Sequence, residues 1–485
     1  MTYVHMFTST LLAALVGTTA AAQSPDQEIV ELRSMVETLR TEVDVLRAET
    51  SDDWLTEQRS QQIRGLVQDV LADADTRASL QGDGATSGYD KGFFIRSADG
   101  KWAMKINGRI QARFMYNDAA GQTSDYGFEI RRFKIGFQGH IMDPSWTYKM
   151  SFINQRDSQG TASSGFYAED AWLRKTTQSG VYLQVGQFKA PLLREELVSS
   201  SAQLSVERSM LNNQFTYGWT QGAEIGQKGE SLWWRAMITD GPNEANQQSQ
   251  GFSDTVSLVA RADVRLAGDW SNWKTFTGRD APGEFYAFIG AAFQWFNNSA
   301  RGFDGAAPPV ALNHSEYGGY SGVRSYGVTV DGSLGGEGWT AYGAFMWADN
   351  GETVDSNGVA IGGNTAWGVL AQAGFLVQKN VQLFGRYEYG HIGDYAAFAP
   401  VTQGGNGRLS VLSVGANVWL APGRTLKWTT DFGYAFDTLN SGPSTNGSPN
   451  PGPNADYTSS GNGWRSDVNS NNGQWLVRTQ LQMMF

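Results

Sequence analysis

The sequence predicts an all-β fold, a 16-stranded antiparallel transmembrane β-barrel that follows an N-terminal coiled-coil or helical segment. Three observations support this fold class. Segments from residue 101 onward alternate apolar and polar residues, and short turns alternate with long polar loops along the chain. After the N-terminus there is also no run of about 18 apolar residues, the length that a membrane-spanning helix needs. A transmembrane barrel does not need such a run, because its alternating strands average to a mildly polar composition.

The composition fits a chain with many turns and few charges. The 485 residues include 58 glycines, 12% aromatic residues and 18% charged residues. There is no cysteine, which excludes disulfides, thiolate metal sites and cysteine nucleophiles. The net charge of −11 argues against a general nucleic-acid binder, which needs a basic surface. The negative net charge is compatible with a local cationic channel, because the local electric field and the net charge are separate quantities.

The N-terminal 80 residues divide into two predicted parts. Residues 1–22 resemble an export signal peptide, with a short apolar core and small residues suited to cleavage near Ala22. Residues 23–80 are predicted to form a coiled-coil and helical stalk. The two core positions of its heptad repeat are held by Ile29, Val36 and Val43, and by Leu32, Leu39 and Leu46. This pattern favours self-association, most simply as two strands, with trimers not excluded and a lone amphipathic helix packed on the protein as the alternative.

The remaining chain is predicted as a linker over 81–100 and a barrel over 101–485. Pairing the alternating segments gives 16 strands, an even number, as bacterial barrels have. The last strand, "GQWLVRTQLQMMF", places Trp475, Val477, Leu481 and Phe485 on one face. A terminal aromatic residue on such a strand is typical of barrels in the bacterial outer membrane. A soluble all-β secreted protein is the alternative, but it would have to bury many aromatic faces.

The order of segments from 101 to 240 resembles the phosphate-selective porin O and P family. The segments that carry the resemblance are "KINGRIQARF", "FEIRRFKIGFQGHI", "WTYKMSF", "AEDAWLRK", "VGQFKAPL", "VERSM" and "ITDG". The resemblance implies a 16-stranded porin in the bacterial outer membrane that conducts small anions or oligosaccharide-like solutes and assembles as a homotrimer. The stalk would then lie in the periplasm and reach toward the cell wall.

The polar parity of the first strands is predicted to line an aqueous interior. In "KWAMKINGRIQARFMY", the even positions carry Trp102, Met104 and Ile106, which suit lipid, so the odd positions face inward. The predicted pore-lining cations on the first three strands are Lys105, Arg109, Arg113, Arg132, Lys134 and Lys149. Charged rings in a water-filled pore select ions by sign. The alternative is an ordinary hydrated lining balanced by carboxylates.

Residues 189–218 are predicted to fold inward and narrow the pore. The candidate residues of this constriction are Lys189, Arg194, Glu195, Glu196, Ser199, Ser200, Ser201 and Arg208. Phosphate-selective members tend to carry a lysine shortly before the paired serines, whereas Glu195 and Glu196 stand in that neighbourhood here. A mixed-charge constriction of weak selectivity is therefore an open alternative to strict phosphate selectivity.

Other function classes have little support in the sequence. A barrel enzyme would need a histidine, a serine and a carboxylate together, and His140, His314 and His391 stand alone. The sequence therefore predicts no enzyme, no catalytic or metal site and no cofactor. The predicted partners are outer-membrane lipid, small anionic or polar solutes and further copies of the chain, with no nucleic acid. A tether between outer membrane and cell wall is a third class, compatible with a pore.

Overall fold

The computed structural model describes residues 25–49, 65, 85–90, 92–121, 123–154, 166–241, 255–280, 283–298, 323–350, 353–354, 360–361, 364–391, 408–439, 462–465 and 473–485. The chain divides into two compact units, Met1–Asp83 and Gly84–Phe485. The predicted signal peptide at 1–22 and the part of the predicted stalk after residue 49, apart from residue 65, lie outside the described residues.

The first unit contains one described long helix, α1, at Pro25–Glu49. Val36, Leu39 and Val43, which belong to the heptad core positions, are about half exposed at 54%, 56% and 46%. The helix itself is confirmed, and its association into a coiled coil stays a prediction. No helix among the described residues has the length and apolar character to cross a membrane.

The second unit consists mostly of strands. In chain order they are β1 Thr86–Tyr89, β2 Phe93–Arg96, β3 Ala103–Asp118, β4 Asp125–Ile141, β5 Asp143–Asn154, β6 Tyr167–Thr176, β7 Val181–Lys189, β8 Trp219–Lys228, β9 Leu232–Thr239, β10 Thr255–Ala267, β11 Tyr286–Asn298, β12 Val323–Gly336, β13 Trp339–Asn350, β14 Thr353–Val354, β15 Ala360–Ile361, β16 Asn364–Gln378, β17 Val381–His391, β18 Arg408–Trp419, β19 Leu426–Ala435 and β20 Trp475–Met484. The short helical segments are α2 Arg194–Leu197 and α3 Met210–Phe215, with 3₁₀ turns at Ser200–Ala202, Asn272–Lys274 and Gly278–Asp280.

Sixteen of these strands, β3 to β13 and β16 to β20, form a closed antiparallel barrel. Each pairs with its neighbour in sequence, and β20 returns to pair with β3 from Trp475↔Asp118 to Met484↔Arg109, which closes the sheet. Closure removes the unpaired edges that a hydrocarbon environment would penalise. The outward parity carries exposed apolar side chains such as Val330 and Phe345, at 50% and 43%. The predicted fold class is therefore confirmed for the barrel.

The segment predicted as a linker contains a hairpin formed by β1 and β2. β3 extends beyond the end of β20, and β2 pairs with that free edge from Phe93↔Ile106 to Arg96↔Ala103. The terminal Phe485 fills the gap between β20 and β2, because its backbone exchanges hydrogen bonds with Gly108. The predicted linker at 81–100 thus includes paired strands, because the edge of β3 supplies backbone partners that are not visible in the local sequence.

A β-bulge in β4 changes which side chains enter the barrel. Ala112 pairs with Ile130 and Gln111 pairs with Arg132, so Arg131 is an extra residue opposite β3. Ile130 is 53% exposed on the outer face, whereas Arg131 and Arg132 both bond Glu207, which lies inside the barrel between β7 and β8. The bulge therefore turns two consecutive arginines into the interior.

The barrel interior is divided between an apolar and a polar side. Inward side chains of the later strands, including Met346, Leu370 and Val411, form an apolar core with the segment that follows β7. On these later strands the inward side chains meet protein, so the aqueous lining predicted for the first strands does not extend to them. Their inner face also carries buried polar side chains, such as Asp331 and Arg386, which bond the same segment. Polar and charged side chains also face the interior on β3 to β9.

Candidate functional site

Residues 190–218, between β7 and β8, cross the barrel interior, and we call them the inward loop. Leu192, Val198 and Leu211 anchor the loop in the apolar core. Backbone groups of the loop bond side chains of the distant strands β18 and β19: Asn417 donates to the Leu204 carbonyl at 2.9 Å, and Asp431 accepts from Val206 N–H at 2.9 Å. The loop is thus held from strands on the far side of the barrel.

Glu207 holds the loop to the first two barrel strands. Its Oε1 lies 2.7 Å from Arg113 Nη1 and 2.9 Å from Arg131 Nε, and its Oε2 lies 2.8 Å from Arg132 Nη2. Burial opposes the charge, but attraction to Arg131, Arg132 and Arg113 outweighs it and holds the pKa of Glu207 well below its usual range. One carboxylate therefore joins three guanidiniums, while Glu129 forms a further ion pair with Arg113.

The two neighbouring glutamates of the loop have different environments. Glu196 pairs with Lys189 at 2.5 Å and Arg208 at 3.3 Å, and it accepts from Asn212 at 2.8 Å. Burial alone would raise its pKa, but these partners outweigh burial and lower the pKa to about 2. Glu195 is fully buried and accepts from Ser209 N–H and Oγ–H at 2.8 and 2.5 Å. Burial is its largest influence and raises the pKa of Glu195.

The long turn after β10 also enters the barrel. Phe276 is 1% exposed, its N–H donates to the Ala202 carbonyl of the loop at 3.0 Å, and its ring lies 4.5 Å from that of Tyr342. Arg194 of the loop donates from Nη2 to the Trp273 carbonyl of the turn at 3.2 Å. The turn and the inward loop therefore close the apolar side of the interior together.

A cavity of about 680 Å³ remains between the loop and the polar side of the barrel. Its charged lining consists of ten cations and four carboxylates, an excess of six positive charges. These cations are Arg109, Arg131, Arg132, Lys134, Lys149, Arg174, Lys189, Arg208, Arg235 and Lys274, and the carboxylates are Glu169, Asp170, Glu196 and Glu224. The hydroxyl-bearing Ser199 and Ser200 of the loop line the same cavity.

Arg109 is a cation of this cavity that contacts a serine of the loop. It is 8% exposed, and its Nη1 donates to Ser199 Oγ at 3.1 Å. Among the described residues it has no carboxylate partner within ion-pair distance, and its buried Nε has no hydrogen-bond partner. Its charge is therefore held in the lining by a neutral hydroxyl.

The three predicted lysines of the cavity each have a carboxylate partner. Lys149 lies 2.7 Å from Asp170, Lys134 pairs with Glu169, and Lys189 pairs with Glu196 in the loop. The ammonium groups of Lys134 and Lys189 also lie over the ring of Trp219, at 5.3 and 4.3 Å from its centroid. The charges of these lysines are thus partly compensated within the lining.

Nine of the predicted site residues line the cavity and five do not. The nine are Arg109, Arg132, Lys134, Lys149, Lys189, Glu196, Ser199, Ser200 and Arg208. Lys105 instead bonds the Asp90 carbonyl beside β2, and Arg113 lies behind the lining in its pairs with Glu129 and Glu207. Arg194, Glu195 and Ser201 are buried within the loop and its contacts.

Several cavity residues were not anticipated from the sequence. Arg131 enters through the bulge, which strict alternation cannot show. Arg174 lies within the quoted segment "AEDAWLRK". It is two residues from Trp172 and so lies on the same face of the strand, which was the available signal. Lys274 comes from the long turn after β10, and Arg235 from β9.

A closed barrel of 16 strands that carries an inward loop beside a cationic cavity has the architecture of a porin. A sequence profile of the family described as "Phosphate-selective porin O and P" matches residues 104–421, well over half of the chain. The chain belongs to this family. The family and the barrel indicate a channel of the outer membrane rather than an enzyme.

Solved structures of several outer-membrane porins are similar in fold. The anion-selective porin from Comamonas acidovorans is 11% identical, with a TM-score of 0.49, over 79% of this chain and 99% of that one. OmpF of Salmonella typhi, in complex with daunomycin, is 10% identical, with a TM-score of 0.49, over 82% and 100%. The outer-membrane channel DcaP of Acinetobacter baumannii is 10% identical, with a TM-score of 0.47, over 79% and 97%. Among curated proteins, no sequence matches this chain.

Proposed function

We propose that the protein is a water-filled channel for passive diffusion of small solutes that favours anions such as phosphate and other small oxyanions. The observation that carries the proposal is the excess of six positive charges among the residues that line the cavity. A cationic lining raises the local concentration of anions and lowers that of cations. This effect is local, so the net charge of −11 on the whole chain does not oppose it.

Arg109 and the serines of the loop are the proposed contact point for a passing oxyanion. The planar guanidinium offers several N–H donors to one oxyanion, and the hydroxyl of Ser199 adds another polar group beside it. Such groups replace part of the hydration shell of the solute. Because Arg109 has no carboxylate partner among the described residues, an anion there does not have to displace one.

The ion pairs between the cavity lysines and carboxylates support a partial rather than a strict anion preference. Glu169, Asp170 and Glu196 already compensate Lys134, Lys149 and Lys189. Their presence favours, as a second candidate function, a general or oligosaccharide porin of weak selectivity. Binding of phosphate at the cavity distinguishes the two candidates.

The proposed assembly is a homotrimer in the outer membrane, with the stalk in the periplasm. The exposed apolar positions Val36, Leu39 and Val43 of α1 support association between copies. The division into a signal peptide at 1–22, a stalk at 23–80 and a barrel from 101 is part of the proposal, as is contact of the stalk with the cell wall. Deletion of 24–80 should leave conductance intact and weaken envelope attachment or assembly.

Phosphate competition in planar bilayers tests the proposed function. Phosphate added to a chloride solution should reduce the chloride current of the wild type, and Arg109→Gln should weaken that block. Lys101→Gln is the matched control, because the Lys101 side chain is 64% exposed and lies outside the cavity lining. Absence of block in the wild type would favour the weakly selective porin. Equal block in wild type and Arg109→Gln would remove Arg109 from the contact point.

A further inference from the structure

Arg174 on β6 is held in the cavity lining by neutral groups. Its guanidinium carbon lies 4.0 Å from the ring centroid of Tyr182 and 5.2 Å from that of Trp172. Its Nε and Nη2 donate to Gln184 Oε1 at 2.9 and 2.6 Å. Among the described residues Arg174 forms no ion pair, and Nη1 has no protein partner. We call Trp172, Tyr182 and Gln184 the Arg174 cradle.

The cradle is itself firmly held. Tyr182 and Gln184 are 4% and 3% exposed, and both lie on β7, where Gln184 is the strand partner of Arg174. The hydroxyl of Tyr182 donates to Glu224 Oε1 on β8 at 2.7 Å. Glu224, the carboxylate that supports the cradle, is therefore hydrogen-bonded to the tyrosine.

This arrangement stabilises a cation without cancelling its charge. An aromatic ring attracts a guanidinium through its quadrupole, and an amide oxygen accepts hydrogen bonds without a net charge of its own. A carboxylate partner would stabilise the same guanidinium but would remove its field from the cavity. Lys134, Lys149 and Lys189 have such partners, whereas Arg174 does not.

We propose that Arg174 is a second selectivity-determining residue, which contacts passing anions through its free Nη1 edge, and that the cradle positions it. The proposal rests on the proposed anion-favouring channel and adds a contact separate from Arg109. Arg174 lies near the end of β6 that leads to the short turn 177–180, so it acts on solutes at that end of the strand. The ligand class is small oxyanions, recognised by the planar guanidinium edge.

Reversal potentials in a potassium chloride gradient test this proposal. A unit charge about 6 Å from a passing ion changes the local ion concentration about threefold in a water-like dielectric. Arg174→Gln should lower the local anion concentration and raise the local cation concentration about threefold each, so the anion-to-cation permeability ratio should fall about tenfold. Arg279→Gln is the matched control, since Arg279 also lies over a ring, that of Trp419 at 5.3 Å, but outside the cavity lining. An unchanged ratio in Arg174→Gln would overturn the proposal.

The role of the cradle is tested by a double substitution. Tyr182→Leu removes the ring and frees Glu224 to pair with Arg174, so it should lower the ratio by a similar factor. In the Arg174→Gln background the same substitution should have no further effect, because the charge that it positions is gone. Equal effects in both backgrounds would show a structural role only and overturn the positioning claim.

Two controls keep the outcome interpretable. Folding of each variant is checked by the heat-dependent mobility of the barrel in gel electrophoresis, and Trp172→Leu replaces Tyr182→Leu if the latter does not fold. A wild-type channel that prefers cations would contradict the proposed function itself. An anion-preferring wild type with an unchanged Arg174→Gln ratio would contradict only the inference about Arg174.

Discussion

Glu207 offers the sharpest test of how the inward loop is held. Its carboxylate accepts from Arg113, Arg131 and Arg132 at 2.7 to 2.9 Å, and Glu129 forms another ion pair with Arg113. Glu207→Gln keeps the shape but removes the charge. Removal of one partner from a buried ion pair costs about 3–5 kcal/mol, because the remaining charges stay buried without compensation.

Two measurable effects follow from the Glu207→Gln substitution. The unfolding midpoint of the barrel in detergent should fall, because three guanidiniums now repel one another around a neutral amide. Anion preference measured by reversal potential should rise, because Arg131 and Arg132 line the cavity and lose their counter-charge. Both effects depend on the buried position of Glu207, which is 5% exposed.

Glu230→Gln is the matched control for Glu207→Gln. The Glu230 side chain is 91% exposed and lies 3.8 Å from Arg265, so its removal should change stability by no more than about 1 kcal/mol. The reasoning is refuted if Glu207→Gln leaves both the midpoint and the ion preference equal to those of the control. A fall in anion preference would also contradict it, since removal of a negative charge cannot favour cations through the field alone.

Three further predictions concern the closure of the barrel between β20 and β3, the long turn after β10 and the inward loop. Gly108→Val should lower the unfolding midpoint, since a Cβ there would overlap the ring of Phe485. Gly127→Val should not, because a Cβ there would meet no described atom within 4 Å. Phe276→Ala should raise single-channel conductance by loosening the turn, because loss of a buried phenylalanine costs about 3–5 kcal/mol. The stability that ionised Glu196 contributes should be complete above its ordinary pKa of 4.5 and be lost as pH falls toward 2, so wild type and Glu196→Gln should differ at pH 6 and converge near pH 2.

The sequence predicts the barrel well because its strongest signals are local. Alternation within β3 and the short turns between strands depend only on neighbouring residues, and they identify Arg109 and Lys134 as inward-facing side chains. The position of the inward loop also follows from its length and from the order of the quoted segments. The alternation is visible in the sequence because a strand in lipid must keep one apolar face along its whole length.

The remaining features depend on contacts between distant residues. Arg113 has the parity of a pore-lining residue, but its charge is taken up by Glu207, 94 positions further along the chain. The bulge that turns Arg131 inward changes the parity of β4 halfway along, which a strictly alternating pattern does not predict. The pairing of β2 with the end of β3 depends on where β20 stops.

The apolar core of the interior is another feature that the local sequence does not predict. Met346 and Leu370 are apolar side chains of later strands that face inward, and they are 1% and 0% exposed. They are buried because Leu211 and Phe276 arrive from the loop and the long turn. Alternation alone identifies two faces of a strand, and it does not tell whether water or protein fills the space that one face meets.

The reversal potential of the wild-type protein in a planar bilayer, under a potassium chloride gradient at pH 7, tests the central claim most directly. The excess of six positive charges in the cavity lining predicts a potential with the sign of chloride preference. A potential with the sign of potassium preference would contradict the claim that the cationic lining governs ion selection.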